Sequence, residues 1–426
     1  MSEPSQFQAP VGTHDVLAPA SSQWEGLLAT FADWAHRYGF SLVITPVFED
    51  VGVFHRGIGE ASDVARKEMY VFSDRGERTY ALRPEGTAPI VRAFIQHQPT
   101  TPFKAWYFTP AFRYERPQAG RYRQHHQLGV EVLGTDDPAV DVEVISLAQR
   151  FFEAIGLTRF RLLINSMGHA QCRGAYLELL RAHLEAHEAE LCDEHRLTWR
   201  ENPLRVLDCK NPACIAVTAQ GPMLIDYLCD DCRAHFDAVL DGLGRLGIES
   251  ELSPRLVRGF DYYTRTTFEF VADALDGAQN AIGGGGRYDG LVEQLGGKPT
   301  SGIGFGSGVE RLLLTRQAEG APPLLSRELE VFVVDTTGED AAATLLDRLR
   351  QAGVASDRAY DQRSMKAQMK VADKSGARLA LLIGPQERSA GEVTIRDLRS
   401  DDHEQHQRRV GEGDVVSTVL HLLRAK

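Results

Sequence analysis

Between about Tyr70 and Gly134 the chain breaks into short strand-like runs, MYVFSD, RTYALRP, AWYFTPAFRYE and HQLGVEVLG, with turn residues between them. Runs of this length and composition, punctuated this closely, predict antiparallel pairing. Ahead of them, Ser22 to Tyr38 reads as an amphipathic helix, with Trp24, Leu27, Leu28, Phe31, Trp34, Ala35 and Tyr38 at helical spacing. Ser22 and Glu25 have the spacing of a capping box, and Gly39 follows the end. The run FSLVITPVFED comes next, and its Pro46 suits an edge or broken strand. A long helix leading into an edge strand suits either a subunit interface or a plain core helix.

Further on, Ala139 to Ala154 reads as a helix and RFRLLINS as a strand. Residues 170–251 are mostly helical and polar, and look like an insertion before strand character returns around Thr264 to Val271. The tail differs. LEVFVVD, helices over Asp340–Ala352 and Ser364–Lys374, then LALLIG and EVTIRDL alternate strand with helix, which predicts an α/β unit with a mainly parallel sheet. A chain of 426 residues is too long for one typical domain. The boundary is expected near residues 321–328, giving units 1–325 and 326–426.

No apolar run reaches the ~18–20 residues needed to span a bilayer, and MSEPSQFQAP lacks the basic start and apolar stretch of a signal peptide. A cytoplasmic location with no membrane partner is the expectation. The net charge of −12 argues against coating nucleic acid through general charge. Yet FRYERPQAGRYRQHHQ, residues 112–127, gathers Arg113, Arg116, Arg121 and Arg123. Local charge is what a phosphate feels, because screening acts over ~8–10 Å. A strand–loop–strand hairpin with arginine on both arms makes a phosphate clamp, since planar guanidinium suits bidentate contact. A solvated hairpin with ion pairs to Glu115 and Glu131 is the alternative.

Two glycine-rich stretches stand out. GGGGRYDGL invites close backbone approach to a ligand, and it lacks the lysine and the βαβ setting of nucleotide-binding loops. In GIGFGSGVERLLL, glycines at alternate positions give a strand face without side chains, against which a planar base could lie. Of six cysteines, Cys172 and Cys192 stand apart, and the others form CKNPAC (Cys209, Cys214) and CDDC (Cys229, Cys232). The two close pairs could together make a zinc ribbon, or be four reduced thiols. No catalytic metal ligand is assigned.

In combination these stretches resemble a known family. FRYE, RYRQ and GSGVER are similar to motifs 2 and 3 of class II aminoacyl-tRNA synthetases, and GF…ITPVFED to motif 1, the dimer element. RGFDYY, GGGRYDGL and ALRPEGTAPIVRA resemble the signature peptides of the histidyl-tRNA synthetase family, bacterial in type. The resemblance covers nearly the whole chain. It implies an α+β catalytic domain with an antiparallel sheet flanked by helices (the class II synthetase fold), a small helical insertion and a C-terminal α/β anticodon-binding domain. The implied activity is histidine–tRNA ligation through a histidyl-adenylate, with ATP as substrate, Mg2+, tRNA as partner and a homodimer as assembly.

Residue by residue, the resemblance implies that Glu85, Gly86, Thr87 and Gln127 surround the α-amino group. Arg113 and Arg258 would be the catalytic cations flanking the α-phosphate and the histidine carboxylate. Glu131 and Tyr263 would read the imidazole, with Tyr262 and Tyr288 packing beside it. Arg121, Glu115 and Arg311 would serve ATP, Arg311 lying on the adenine. Arg116, Gln118 and Arg123 would meet the tRNA acceptor end. His125 stands where the family usually has phenylalanine stacked on adenine. Its ordinary pKa near 6.5 predicts a weaker or pH-sensitive ATP contact. A histidine-sensing regulatory paralogue of ATP phosphoribosyltransferase is the competing reading. Such paralogues lack the C-terminal domain and usually degrade the arginine set.

Overall fold

The computed structural model describes residues 7–59, 64–118, 120–257, 262–275, 280–325, 329–338, 341–360, 363–400 and 407–424. The chain divides into two compact units, Met1–Leu325 and Ser326–Lys426.

The first unit is built on an eight-stranded sheet. In chain order its strands are β1 (Ser41–Leu42), β2 (Phe103–Phe112), β3 (Gln124–Leu133), β4 (Phe160–Ser166), β5 (Glu251–Leu252), β6 (Thr264–Ala272), β7 (Ala281–Arg287) and β8 (Gly302–Gly308). Their spatial order is β1-β2-β3-β8-β7-β6-β4-β5. The six central strands pair antiparallel. Only the two-residue edge strands β1 and β5 run parallel to their neighbours. The runs MYVFSD and RTYALRP do not join this sheet. Thr79–Leu82 is instead the central strand of a separate three-stranded sheet, pairing antiparallel with Val71–Ser73 on one side and Phe48–Asp50 on the other. Pro46 falls between β1 and Phe48–Asp50, splitting the run in two as its missing N–H requires.

Period-two alternation decides what each face of the sheet does. On β3, Leu128, Val130 and Val132 point into the main core, where Phe268 and Phe270 of β6 and Ile303 and Phe305 of β8 join them. The alternate residues, His125, Gln127, Gly129 and Glu131, therefore share the opposite face. The core face is covered by α1 (Ala20–Arg37), whose Leu27, Phe31 and Ala35 repeat every four residues. The opposite face receives α2 (Thr87–His97) beside it, and α3 (Pro138–Ala154) adds Phe151 and Phe152 to the core. The expected capping box at Ser22 does not form. The helix begins two residues earlier, and the Ser22 hydroxyl donates to the Pro19 carbonyl at 2.7 Å.

The insertion holds α4 (Ala170–Ala186), α5 (Asp193–Thr198), α6 (Pro212–Ala219) and α7 (Asp230–Arg245). It has a small core of its own, including Tyr176, Leu180, Leu184, Trp199 and Val217. It is tied to the sheet by a buried ion cluster. The Asp141 carboxylate takes Arg287 Nε at 2.7 Å and His235 Nε2 at 2.7 Å. Arg287 also donates to the carbonyls of Thr135 and Asp137, at 3.1 and 2.9 Å. After β8 the chain enters α8 (Val309–Glu319).

The second unit has five strands in the order Ser356–Arg358, Val331–Asp335, Leu379–Ile383, Glu392–Asp397, Gln407–Gly411. The first three are parallel and the last two add antiparallel. The mainly parallel sheet expected from the sequence is thus mixed. EVTIRDL is followed by a further strand, and a short connection between them favours a hairpin.

Candidate active site

The polar face of the sheet floors a cavity of ≈ 670 Å³. The fold explains its composition. β8 presents Gly304, Gly306 and Gly308 to it, so the floor there is bare backbone. Beside that floor, β3 sends up His125 and Gln127, β6 sends Glu269, and Arg113 follows the end of β2. Glu85, Thr87, Glu115, Arg121, Tyr262, Tyr263, Tyr288 and Arg311 complete the wall. These residues come from distant parts of the chain, and most of the residues named from the sequence meet in this one place. Arg258 lies outside the described residues.

One end of the cavity is carboxylate and hydroxyl. Glu131 is fully buried, opposite Gly304 in the strand register. A Cβ on Gly304 would come within 1.8 Å of Glu131 Oε2, so glycine is what lets the carboxylate lie over the floor. Glu131 Oε1 accepts from the Thr87 hydroxyl at 2.7 Å and the Tyr107 hydroxyl at 3.3 Å, and Oε2 from the Tyr288 hydroxyl at 2.5 Å. Thr87, Tyr107 and Tyr288 line the cavity; Glu131 stands just behind them. Burial pushes its pKa up to about 8, against the pull of the Tyr288 and Thr87 hydrogen bonds. Tyr263 packs against Tyr262 with the rings tilted at 47° and their centroids 4.7 Å apart, and Tyr262 meets Tyr288 edge-on at 5.8 Å.

Glu85 has a second task that the sequence reading missed. Its carboxylate takes the backbone N–H groups of Thr87 and Ala88 at 2.5 and 2.8 Å, satisfying donors at the start of α2. Burial raises its pKa above the ordinary glutamate value. Gly86 does not line this cavity. A side chain there would strike the Tyr107 ring at 2.3 Å.

The other end is cationic. Arg113 is oriented by the Pro84 carbonyl, which accepts from Nε at 2.9 Å. Glu115 sits between Arg113 and Arg121, 4.0 Å from the first and 3.2 Å from the second. Arg311 donates to the Ala281 carbonyl at 2.8 Å. Burial, followed by the nearby Arg121 charge, lowers its pKa, yet guanidinium stays charged at any working pH. The same burial, together with Arg113, His126 and Arg311, drives His125 down to about 3. The charge change expected near pH 6.5 is therefore corrected: His125 is a neutral ring throughout the physiological range. Two carboxylates on the wall, Glu115 and Glu269, are the oxygen donors a hard cation prefers.

Sequence reasoning also missed the clamp beneath this end. Glu310 is buried and accepts from the His126 backbone N–H at 2.9 and 3.0 Å, with His126 Nδ1 at 2.9 Å from the same carboxylate. This fixes β3 to α8, and so sets His125 relative to Arg311. GSGVER contained the residue, but only the fold reveals its partner.

Of the hairpin residues, Arg116 and Gln118 are exposed on the loop between β2 and β3. Arg123 is turned back on the protein. Its guanidinium lies 3.9 Å from the Tyr114 ring, and its Nε donates to the Glu115 carbonyl at 3.3 Å. The zinc-ribbon expectation is corrected too, because Cys209/Cys214 and Cys229/Cys232 belong to two separate groups.

Residues 12–312 match the family model for histidyl-tRNA synthetase, and residues 330–421 match that of an anticodon binding domain. The chain belongs to the histidyl-tRNA synthetase family. It is 48% identical over 409 residues to a histidine–tRNA ligase of Rhodococcus erythropolis, covering 95% of this chain and 96% of that one. Its identity to the histidine–tRNA ligase of Mycobacterium tuberculosis is 49% over 430 residues, with 99% of each chain covered. The crystal structure of apo histidyl-tRNA synthetase from Staphylococcus aureus superposes with a TM-score of 0.81 at 34% identity, covering 97% of this chain and 100% of that chain. Histidyl-tRNA synthetase family membership thus spans both units.

Proposed function

We propose that this chain joins L-histidine to its tRNA in two steps, both at the cavity on the sheet's polar face. In the first, a carboxylate oxygen of histidine attacks the α-phosphorus of ATP. A P–O bond forms, the bond to pyrophosphate breaks, and histidyl-adenylate remains. In the second, the histidyl group passes to the terminal ribose of the tRNA and AMP leaves.

The observation that carries this reading is the division of one cavity into a carboxylate–hydroxyl end and an arginine end, with a bare glycine floor between. The imidazole would enter the first end. Glu131 and Tyr263 would read its two nitrogens, one acceptor and one hydroxyl for a ring with at least one N–H. Such a site rejects analogues that leave its own groups stranded, by ~10⁴–10⁵. Glu85, Thr87 and Gln127 would hold the α-amino group. Arg113 would face the α-phosphate, and Arg258 is assigned the same charge role from the family motif alone. Fixed positive charge aimed at the reacting phosphate stabilises charge developing in the transition state. Arg121 would reach the outer phosphates, and adenine would lie between Arg311 and the neutral His125 ring. Magnesium would ride on the phosphates, with Glu115 and Glu269 as its protein donors.

Arg116 and Gln118, exposed on the hairpin, would meet the tRNA acceptor end, and the second unit would bind the anticodon. The active form would be a cytoplasmic homodimer. Among the described residues no helix is long and apolar enough to cross a membrane. The regulatory paralogue is not favoured, because Arg113, Arg121 and Arg311 all stand in the cavity and residues 330–421 match an anticodon domain.

The test is isotope exchange between pyrophosphate and ATP with each of the twenty amino acids. Exchange driven by histidine alone supports the assignment; exchange driven by another amino acid, or by none, refutes it.

A further inference from the structure

All six cysteines of the chain gather in two places in the helical insertion, and each place also holds one histidine. In the first, His169 caps α4, Cys172 lies in its opening turn, and Cys229 and Cys232 begin α7. In the second, Cys192 and His195 begin α5, Cys209 lies in the loop before α6, and Cys214 is on α6. Each group of four residues offers one ligand atom apiece, and within each group these atoms all lie within 4.8 Å of one another. We infer that both are structural zinc sites, each with three cysteine ligands and one histidine.

The dimensions fit one small ion. A tetrahedron of Zn–S bonds of about 2.3 Å has edges near ~3.8 Å. Cys192 Sγ lies 4.0 Å from Cys209 Sγ and 3.2 Å from His195 Nδ1, and Cys214 Sγ is 4.0 Å from the same nitrogen. In the other group Cys172 Sγ and Cys229 Sγ flank the His169 ring, 3.1 Å from Nδ1 and 3.8 Å from Nε2, and one of these two nitrogens would be the ligand. A disulfide needs ~2.05 Å, and all six thiols are free.

The spacings agree: His-x2-Cys with Cys-x2-Cys, and Cys-x2-His with Cys-x4-Cys. Each pair comes from one short segment, and the fold brings two segments together. Backbone N–H groups already aim at the sulfurs, from Cys229 to Cys172 Sγ at 3.2 Å, from Cys192 to Cys214 Sγ at 3.4 Å and from Asn211 to Cys209 Sγ at 3.4 Å. Outer donors of this kind fix ligands in place. Four protein ligands leave no open position, which marks a structural rather than a catalytic site. The insertion's own core is small, and a unit of that size commonly needs a staple.

Both sites bear on the cavity. The first joins α4 to α7 beside the point where Arg265 N–H donates to Gly168 O at 2.8 Å and Met167 N–H to Arg265 O at 2.6 Å, two residues from Tyr263. The second holds Cys209, which lines the cavity with Leu207 and Lys210, while Arg255 donates to the carbonyls of Leu207 and Cys209 at 2.9 and 3.3 Å.

The experiment is metal analysis of the full-length protein, purified without chelator, incubated with zinc and desalted. Two zinc per chain are expected, falling to one in Cys232→Ser and to one in Cys214→Ser. Fewer than two in the unsubstituted protein, or a count that neither substitution changes, overturns the assignment. Thiol labelling covers the case in which a variant fails to fold. In the native protein the six thiols should resist an aromatic disulfide reagent until a chelator is added. Full labelling at the same rate without chelator also overturns it.

Discussion

Glu131→Gln isolates the carboxylate from the rest of the site. The folded protein raises the Glu131 pKa from 4.5 to about 8, chiefly through burial. Below pH 4.5 both folded and unfolded chains hold the proton, and Glu131 costs nothing. As pH rises above 4.5 the unfolded chain ionises first, so the folded state loses stability at ~1.4 kcal/mol per pH unit until about pH 8. At pH 7 the interval is about 2.5 units, a penalty on the order of 3 kcal/mol. Glutamine has the same shape, keeps partners for the Thr87, Tyr107 and Tyr288 hydroxyls, and never ionises. The ligand-free variant should therefore melt at the same temperature as the parent near pH 4.5. It should melt several degrees higher at pH 7–8, at roughly 2–4 °C per kcal/mol or somewhat less for so large a unit. Saturating histidine should reverse the order at pH 7, because the ring N–H favours the ionised form of Glu131, which only the parent can supply. Scanning calorimetry across pH 4.5–8, with and without histidine, reads both effects. A difference that does not grow with pH, or a variant stabilised by histidine as much as the parent, would refute the reasoning.

Gly304→Ala would drive its methyl group into Glu131 Oε2, and should raise KM for histidine roughly 10–100-fold, the worth of one charged hydrogen bond, with KM for ATP little changed. Steady-state exchange kinetics check it. His125→Phe should alter KM for ATP by a constant factor between pH 5.5 and 8, because a ring with pKa about 3 has no charge to lose there; an inflection near pH 6.5 in the parent would contradict this. Glu310→Ala should raise KM for ATP by about tenfold, for ~1–2 kcal/mol of lost positioning, and leave KM for histidine nearly unchanged. Arg287→Met should destabilise the first unit by ~3–5 kcal/mol, because Asp141 is left buried without its main cation, and chemical denaturation measures it.

The cavity was legible where a strand's alternation carried it. In QHHQLGVEVL the residues at 125, 127 and 131 fall on one face and the apolar ones on the other, so the strand period alone groups them. The glycine face of GIGFGSG follows from the same rule. What the sequence hid were pairings between distant segments. Arg287 sits in the glycine-rich stretch that invites close approach of a ligand, yet its own side chain is wholly buried on Asp141. Arg123 reads, by resemblance, as a contact for the tRNA acceptor end, but its guanidinium packs on the Tyr114 ring and its Nε donates to the Glu115 carbonyl. His125 reads as an ordinary histidine until its burial, and after that the positive charges around it, are known.

The cysteines show the same limit in its plainest form. Spacing joins Cys209 to Cys214 and Cys229 to Cys232, and suggests that the two pairs share one ion. Spacing cannot say which neighbour completes each set. Cys172 and Cys192 look solitary only because their close partners in sequence, His169 and His195, are not cysteines. Once the helices are packed, each pair finds its complement at the start of another helix. The two groups then fasten the insertion at its root and at the wall of the cavity. A chain that must hold a ~80-residue helical insertion against an active site, with only a small core to do it, gains most from staples at those two points.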